Sequence, residues 1–181
     1  MKIKKTEMAE VLIIEPEVFS DDRGWFAESY NRKKLSEAGI NINFVQDNHS
    51  FTEKSGTLRG LHVQNHPHAQ SKLIRCTKGA VLDVVVDLRK NSPTYKQWVA
   101  VELTEENKRQ VFFPKGFAHG ILSLTDNVEV HYKIDNHYDK QSERFIRWND
   151  GDININWGND NPTLLERDRN APLLKDCDIN L

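Results

Sequence analysis

Apolar residues in this chain recur at every second position or in short unbroken runs, the pattern of β-strands rather than of amphipathic helices. Val11-Leu-Ile-Ile14 is a short strand stopped by Glu15-Pro16, and Arg23-Gly-Trp-Phe-Ala-Glu-Ser29 reads as a second after the acidic turn Ser20-Asp-Asp22. Phe44–Ser50 resumes the extended pattern. The run from Leu73 to Thr77, then Ala80–Leu88, Gln97–Leu103, Gln110–Phe113, Gly120–Leu124 and Val128–Ile134 continue it. Turn residues separate these segments at Glu53–Gly56, Lys78-Gly79, Asn91-Ser-Pro93, Pro114-Lys-Gly116 and Thr125-Asp-Asn127. One helix is predicted, over Arg32–Ala38, with Asn31 as its N-cap and Gly39 just past its end. The Asn- and Asp-rich C-terminal stretch has little periodicity and is expected to wrap the strands as irregular structure. Short strands at roughly ten-residue spacing predict an all-β sandwich, jelly roll or barrel.

Composition narrows this only a little. A chain of 181 residues is expected to form one domain, and 38% hydrophobic residues, with four Trp, eight Phe and four Tyr, supply a core for it. The 25 Lys+Arg nearly balance 27 Asp+Glu, which argues against a general electrostatic role on nucleic acid or an anionic membrane. No apolar run has the length of a membrane span or of a signal peptide, so a cytoplasmic protein is expected. Cys76 and Cys177 are read as two unpaired thiols.

Chemistry concentrates between Thr57 and Lys72, a stretch holding His62, His66, His68, Arg59 and Lys72. Gly60, the pair His66-Pro-His68, Lys72 and Gly79 have the spacing of one cupin signature, and Pro114-Lys-Gly-Phe-Ala-His119 that of the other. The chain thus resembles cupins, which implies a double-stranded β-helix (jelly roll) with short peripheral helices. In metal-binding cupins a glutamate ligand stands where this chain has Lys72, and an ammonium there repels a cation. Two readings follow. One is a metal-dependent cupin, such as an oxygenase, using His66, His68 and His119. The other is metal-free and without a cofactor, with His66 and His68 solvated beside Pro67 and His62 pointing inward.

The metal-free set suits proton abstraction next to a carbonyl. Neutral imidazole is a good base near pH 7, an ammonium can hold an enolate oxygen, and a phenol can return a proton. Base and phenol on opposite faces of one carbon would invert it. An aspartate on the far ring nitrogen would fix the tautomer, and any of many aspartates could do so.

The chain further resembles the dTDP-4-dehydrorhamnose 3,5-epimerase family. The resemblance runs through Asp22-Arg-Gly-x-Phe-x-Glu28, Phe44–Ser50, Leu58-Arg-Gly-Leu-His62, Gln70-x-Lys-Leu73, Asp87-Leu-Arg-x-x-Ser-Pro93, Pro114–Gly120, Tyr132-Lys133, Trp148-Asn-Asp150 and Arg167-Asp168. It implies that His62 is the base, Asp168 its carboxylate partner, Tyr132 the proton donor and Lys72 the group holding the C4 oxygen, with His119 in the same pocket. It assigns substrate contacts to Arg23, Phe26, Glu28, Gln46, Asp47, Asn48, Arg59, Tyr138, Glu143 and Arg167. It implies a dTDP-sugar substrate inverted at C3 and C5. It also implies a homodimer in which an N-terminal strand joins the partner's sheet and Arg23 and Glu28 serve the partner's site. Inversion at C3 alone and sugar binding without turnover are the competing readings. Val63, His137 and Arg167 depart from residues common in the family.

Overall fold

The computed structural model describes all residues, Met1–Leu181. Its strands are β1 (Lys2–Lys5), β2 (Leu12–Glu15), β3 (Val18–Asp21), β4 (Gly24–Ala27), β5 (Gln46–Thr52), β6 (Leu58–Gln64) and β7 (Lys72–Lys78). They continue with β8 (Ala80–Asp87), β9 (Trp98–Thr104), β10 (Gln110–Phe113), β11 (Phe117–Ser123), β12 (Val128–Ile134) and β13 (Glu143–Phe145). Helices α1 (Arg32–Glu37) and α2 (Glu166–Arg169) are short. One antiparallel sheet runs β1-β2-β10-β7-β12-β5 and faces a second, β13-β6-β11-β8-β9, so the predicted cupin jelly roll is what the chain forms.

The two-residue period of a strand explains how one element serves two cores. On β8, Val81 and Val85 face the space between the sheets and join Ile74, Leu103, Val111, Phe113 and Val130. Val84 and Val86 face the other way, against Ile146, Ile153, Trp157 and Leu174 of the C-terminal region. The continuous aliphatic run is therefore a strand buried on both faces. Each fully buried Val or Leu contributes about 1.5–3 kcal/mol of apolar transfer. Asp150 pins this covering segment. Its Oδ1 accepts from the Ile153 amide at 3.1 Å and its Oδ2 from the Leu174 amide at 2.7 Å.

Helix α1 begins where Asn31 predicts it, with the Asn31 side chain accepting from the Lys34 amide at 3.1 Å. It buries Leu35 against Ile14, Leu73 and Phe112 on the outer face of the six-stranded sheet. Gly39 takes φ +88° immediately after the helix.

The N-terminal region adds two features to the sandwich. The segment predicted as a second strand belongs to a separate β3–β4 hairpin, paired with neither large sheet, with Phe19, Trp25 and Phe26 exposed and Lys108 over the Trp25 ring at 4.1 Å. Strand β1, which has no apolar run to announce it, adds to the six-stranded sheet, because only its Ile3 has to pack. It pairs with β2 of its own chain, Ile3 opposite Ile14, and forms the edge of that sheet.

Candidate active site

His62 and His119 are direct cross-strand neighbours, and glycines bring them there. Gly60 on β6 has φ +136°, and a Cβ on it would lie 2.5 Å from the Cα of Gly120 on β11. No side chain fits between these backbones, and the register shifts between His119 and Ile121. The glycine of Leu-Arg-Gly-Leu-His and the glycine after Phe-Ala-His thus make one contact that sets two imidazoles side by side.

Around them lies a cavity of about 350 Å³. His62, His119 and Arg59 line it from the five-stranded sheet, and Lys72, Tyr132, Gln46 and Asn48 from the six-stranded sheet. Tyr138, Glu143, Arg167 and Asp168 complete the rim and one wall. Nε2 of His62 lies 3.0 Å from Oδ1 of Asp168, a carboxylate 1% exposed. An acidic acceptor on Nε2 makes that nitrogen the protonated one and leaves the Nδ1 lone pair free. Tyr138 donates to Glu143 at 3.0 Å.

Across the interior, Nζ of Lys72 lies 2.9 Å from Nε2 of His119, one bond joining the two sheets. Burial pulls the Lys72 ammonium down to about 8, the charge of Asp83 opposing it. Burial likewise holds His119 well below the usual imidazole range, reinforced by Lys72. His119 is therefore neutral and its Nε2 accepts from the ammonium. Burial also raises Tyr132, so the phenol keeps its proton at neutral pH.

One neighbour escaped the sequence reading. Asp83 is fully buried, and its Oδ1 lies 3.5 Å from Nδ1 of His119. Neither Asp83 oxygen has a hydrogen-bond partner, and burial pushes the carboxyl well above its usual range. The signal was present as one acid amid Ala-Val-Leu-Asp-Val-Val-Val, on the inward-facing set with Val81 and Val85.

Other expected residues are not gathered here. Arg23 is on the exposed hairpin, paired with Asp21 at 2.6 Å, and Phe26 is 68% exposed. Glu28 and Asp47 line a second cavity instead, and they pair with Lys34 at 2.8 Å and Lys133 at 2.7 Å. His66 is exposed and His68 bonds to Ser142 at 2.9 Å, neither lining the cavity that holds His119. The three histidines of the metal reading are thus not brought together. Of the departures, Val63 and Arg167 line the cavity and His137 is exposed outside it.

Fold and site together define a cupin-type isomerase, a barrel whose own side chains are arranged to move protons. Residues 5–176 match the family model described as dTDP-4-dehydrorhamnose 3,5-epimerase. The chain is 52% identical over 179 residues to the dTDP-4-dehydrorhamnose 3,5-epimerase of Shigella flexneri, covering 98% of both. Among solved structures, the corresponding enzyme of Bacillus anthracis with TDP and PPi bound is 46% identical, with a TM-score of 0.93 over 96% of this chain and 99% of that one. A dTDP-6-deoxy-D-glucose-3,5-epimerase of Legionella pneumophila in complex with dTDP-4-keto-L-rhamnose is 43% identical, with a TM-score of 0.94 over 98% and 94%. The chain belongs to the dTDP-4-dehydrorhamnose 3,5-epimerase family.

Proposed function

We propose that the cavity epimerises dTDP-4-dehydro-6-deoxy-D-glucose at C3 and C5 to dTDP-4-dehydro-L-rhamnose. The observation that carries this reading is the placement of His62 and Tyr132 on opposite sheets across one cavity, with Lys72 beside Tyr132, its Nζ 6.0 Å from the ring centre. Nδ1 of His62 takes the proton from C5, and the C–H electrons move into an enolate whose charge rests on the C4 oxygen. The Lys72 ammonium holds that oxygen in a water-poor site, where one such donor is worth about 10²–10³-fold in rate. Tyr132 gives its phenolic proton to the other face of C5, inverting it, and recovers one from solvent. His62 releases its proton, and the cycle repeats at C3. Asp168 stabilises the imidazolium through Nε2.

The dTDP moiety is assigned to the rim. Arg59 supplies a guanidinium for the pyrophosphate, Gln46 and Asn48 supply amides, and Tyr138 supplies an exposed ring on which a pyrimidine can stack. Arg23, Phe26 and Glu28 are assigned to a partner's cavity in a symmetric dimer. A two-stranded hairpin with Phe19, Trp25 and Phe26 exposed has too little of its own chain to cover it, which supports this assignment. Mixing Arg23→Ala and His62→Asn chains tests it, since exchange of subunits restores one intact site and hence activity. Mixtures no more active than their parents refute it. No helix is long and apolar enough to cross a membrane, and the proposed site of action is the cytoplasm.

Proton NMR of the chain with the 4-keto sugar nucleotide in deuterated water tests the reaction. Deuterium at both C3 and C5 is expected. Deuterium at C3 alone replaces the reading with a 3-epimerase, and tight nucleotide binding without exchange replaces it with a binding module.

A further inference from the structure

Phe145 does not line the cavity and belongs to none of the apolar clusters, yet its ring touches two charged or titratable groups of the site. It is the direct cross-strand partner of His62, and the two ring centroids lie 5.0 Å apart at 84°. The Arg167 guanidinium carbon lies 5.0 Å from the centre of the same ring. Arg167 immediately precedes Asp168 on α2, and its Nε is 3.8 Å from Oδ1 of Asp168. Helix α2 has only four residues and no side-chain cap, so its own hydrogen bonds hold Arg167 weakly. One ring therefore bridges the strand that carries the base and the segment that carries its carboxylate.

We propose that Phe145 is a positioning residue: its ring holds the His62 imidazole turned toward Asp168 and parks the Arg167 guanidinium at the cavity rim. This rests on the acid–base reading above. A ring serving only to fill space would be replaceable by any side chain of similar volume. Edge-to-face and cation–π contacts need the aromatic quadrupole and are lost without it.

Phe145→Leu and Phe145→Tyr separate the two cases. Each contact corresponds to roughly a 2- to 12-fold effect. For Phe145→Leu, kcat is expected to fall within that range through His62, and KM for the dTDP-sugar to rise similarly through Arg167. The ¹⁵N signals of His62, identified by their loss in His62→Asn, are expected to change from a single Nε2-protonated tautomer to a mixture. Phe145→Tyr is expected to restore all three readouts to within about twofold, at unchanged Tm. Wild-type kinetics and tautomer in Phe145→Leu overturn the inference, and so do equal losses in the two variants. If the wild-type chain exchanges no substrate proton, it is the functional reading that fails. The ¹⁵N measurement needs no substrate and still decides the role of Phe145.

Discussion

Strand β8 carries two aspartates that are both fully buried, and their environments are opposite. Asp87, at the end of the strand, accepts from the Arg89 amide at 2.9 Å, from its guanidinium at 2.8 Å and from the hydroxyls of Ser92 and Thr94. Burial alone would raise this carboxyl, but those donors hold it at about 2. Asp83, four positions earlier, has no hydrogen-bond partner and is pushed upward. A buried carboxylate that closes a turn is fully satisfied, while one beside the reacting groups is left short of partners. The sandwich tolerates the second because Val81 and Val85 on either side of Asp83 are packed into an apolar cluster that supplies stability the site does not.

The sharpest test of that division is chemical. His62→Asn should lower isotope exchange by roughly 10²–10⁴-fold, the range for a lost general base. Its Tm should stay near that of wild type, and a large drop would mean that the site half carries stability after all. Lys72→Met should cost about 10²–10³-fold. In the wild type kcat/KM should fall as pH rises through about 8, since the ammonium is the active form and burial has brought its titration there. A profile flat to pH 10 would remove Lys72 from the enolate.

On the packed side the expectation reverses. Leu103→Ala empties a fully buried position and should cost about 2–5 kcal/mol, read by urea unfolding, with kcat at 25 °C unchanged. The two aspartates give the smallest and most discriminating effects. Asp87 has a lowered folded pKa, so its stabilisation is complete above about pH 4 and lost as pH falls toward 2. Asp83 has a raised one, so it lowers stability as pH rises above about 4. Asp83→Asn should then raise Tm at pH 7 by roughly 2–4 °C, while moving the basic limb of kcat/KM to lower pH because the charge supporting Lys72 is gone. An unmoved limb would show Asp83 already neutral in the wild type.

Much of this was legible in the sequence, for identifiable reasons. Period-2 runs and turn residues located the long strands, and Asn31 with Gly39 bracketed the helix. Tyr132 lies on one of those predicted strands and Lys72 and His119 stand one residue before two others, while His62 was found through its motif rather than a predicted strand. What was missed has weak local signals. Strand β1 reads as Lys-Ile-Lys-Lys, with a single apolar side chain, and α2 is one turn long. Asp83 hid inside an aliphatic run, and Phe145 sits in a three-residue strand within a polar tail. Asp168 could be singled out only by resemblance, because nothing local tells which of many aspartates returns to a histidine 106 residues earlier.

That separation has a temporal side. His62 is made early and Asp168 close to the C-terminus, on the segment that Asp150 ties down over the finished sheet. In the proposed mechanism, a newly synthesised barrel whose tail has not docked holds its base without the carboxylate. The onset of turnover during refolding would then mark the arrival of the last segment, and the chain's own chemistry would serve as the clock for its final folding event.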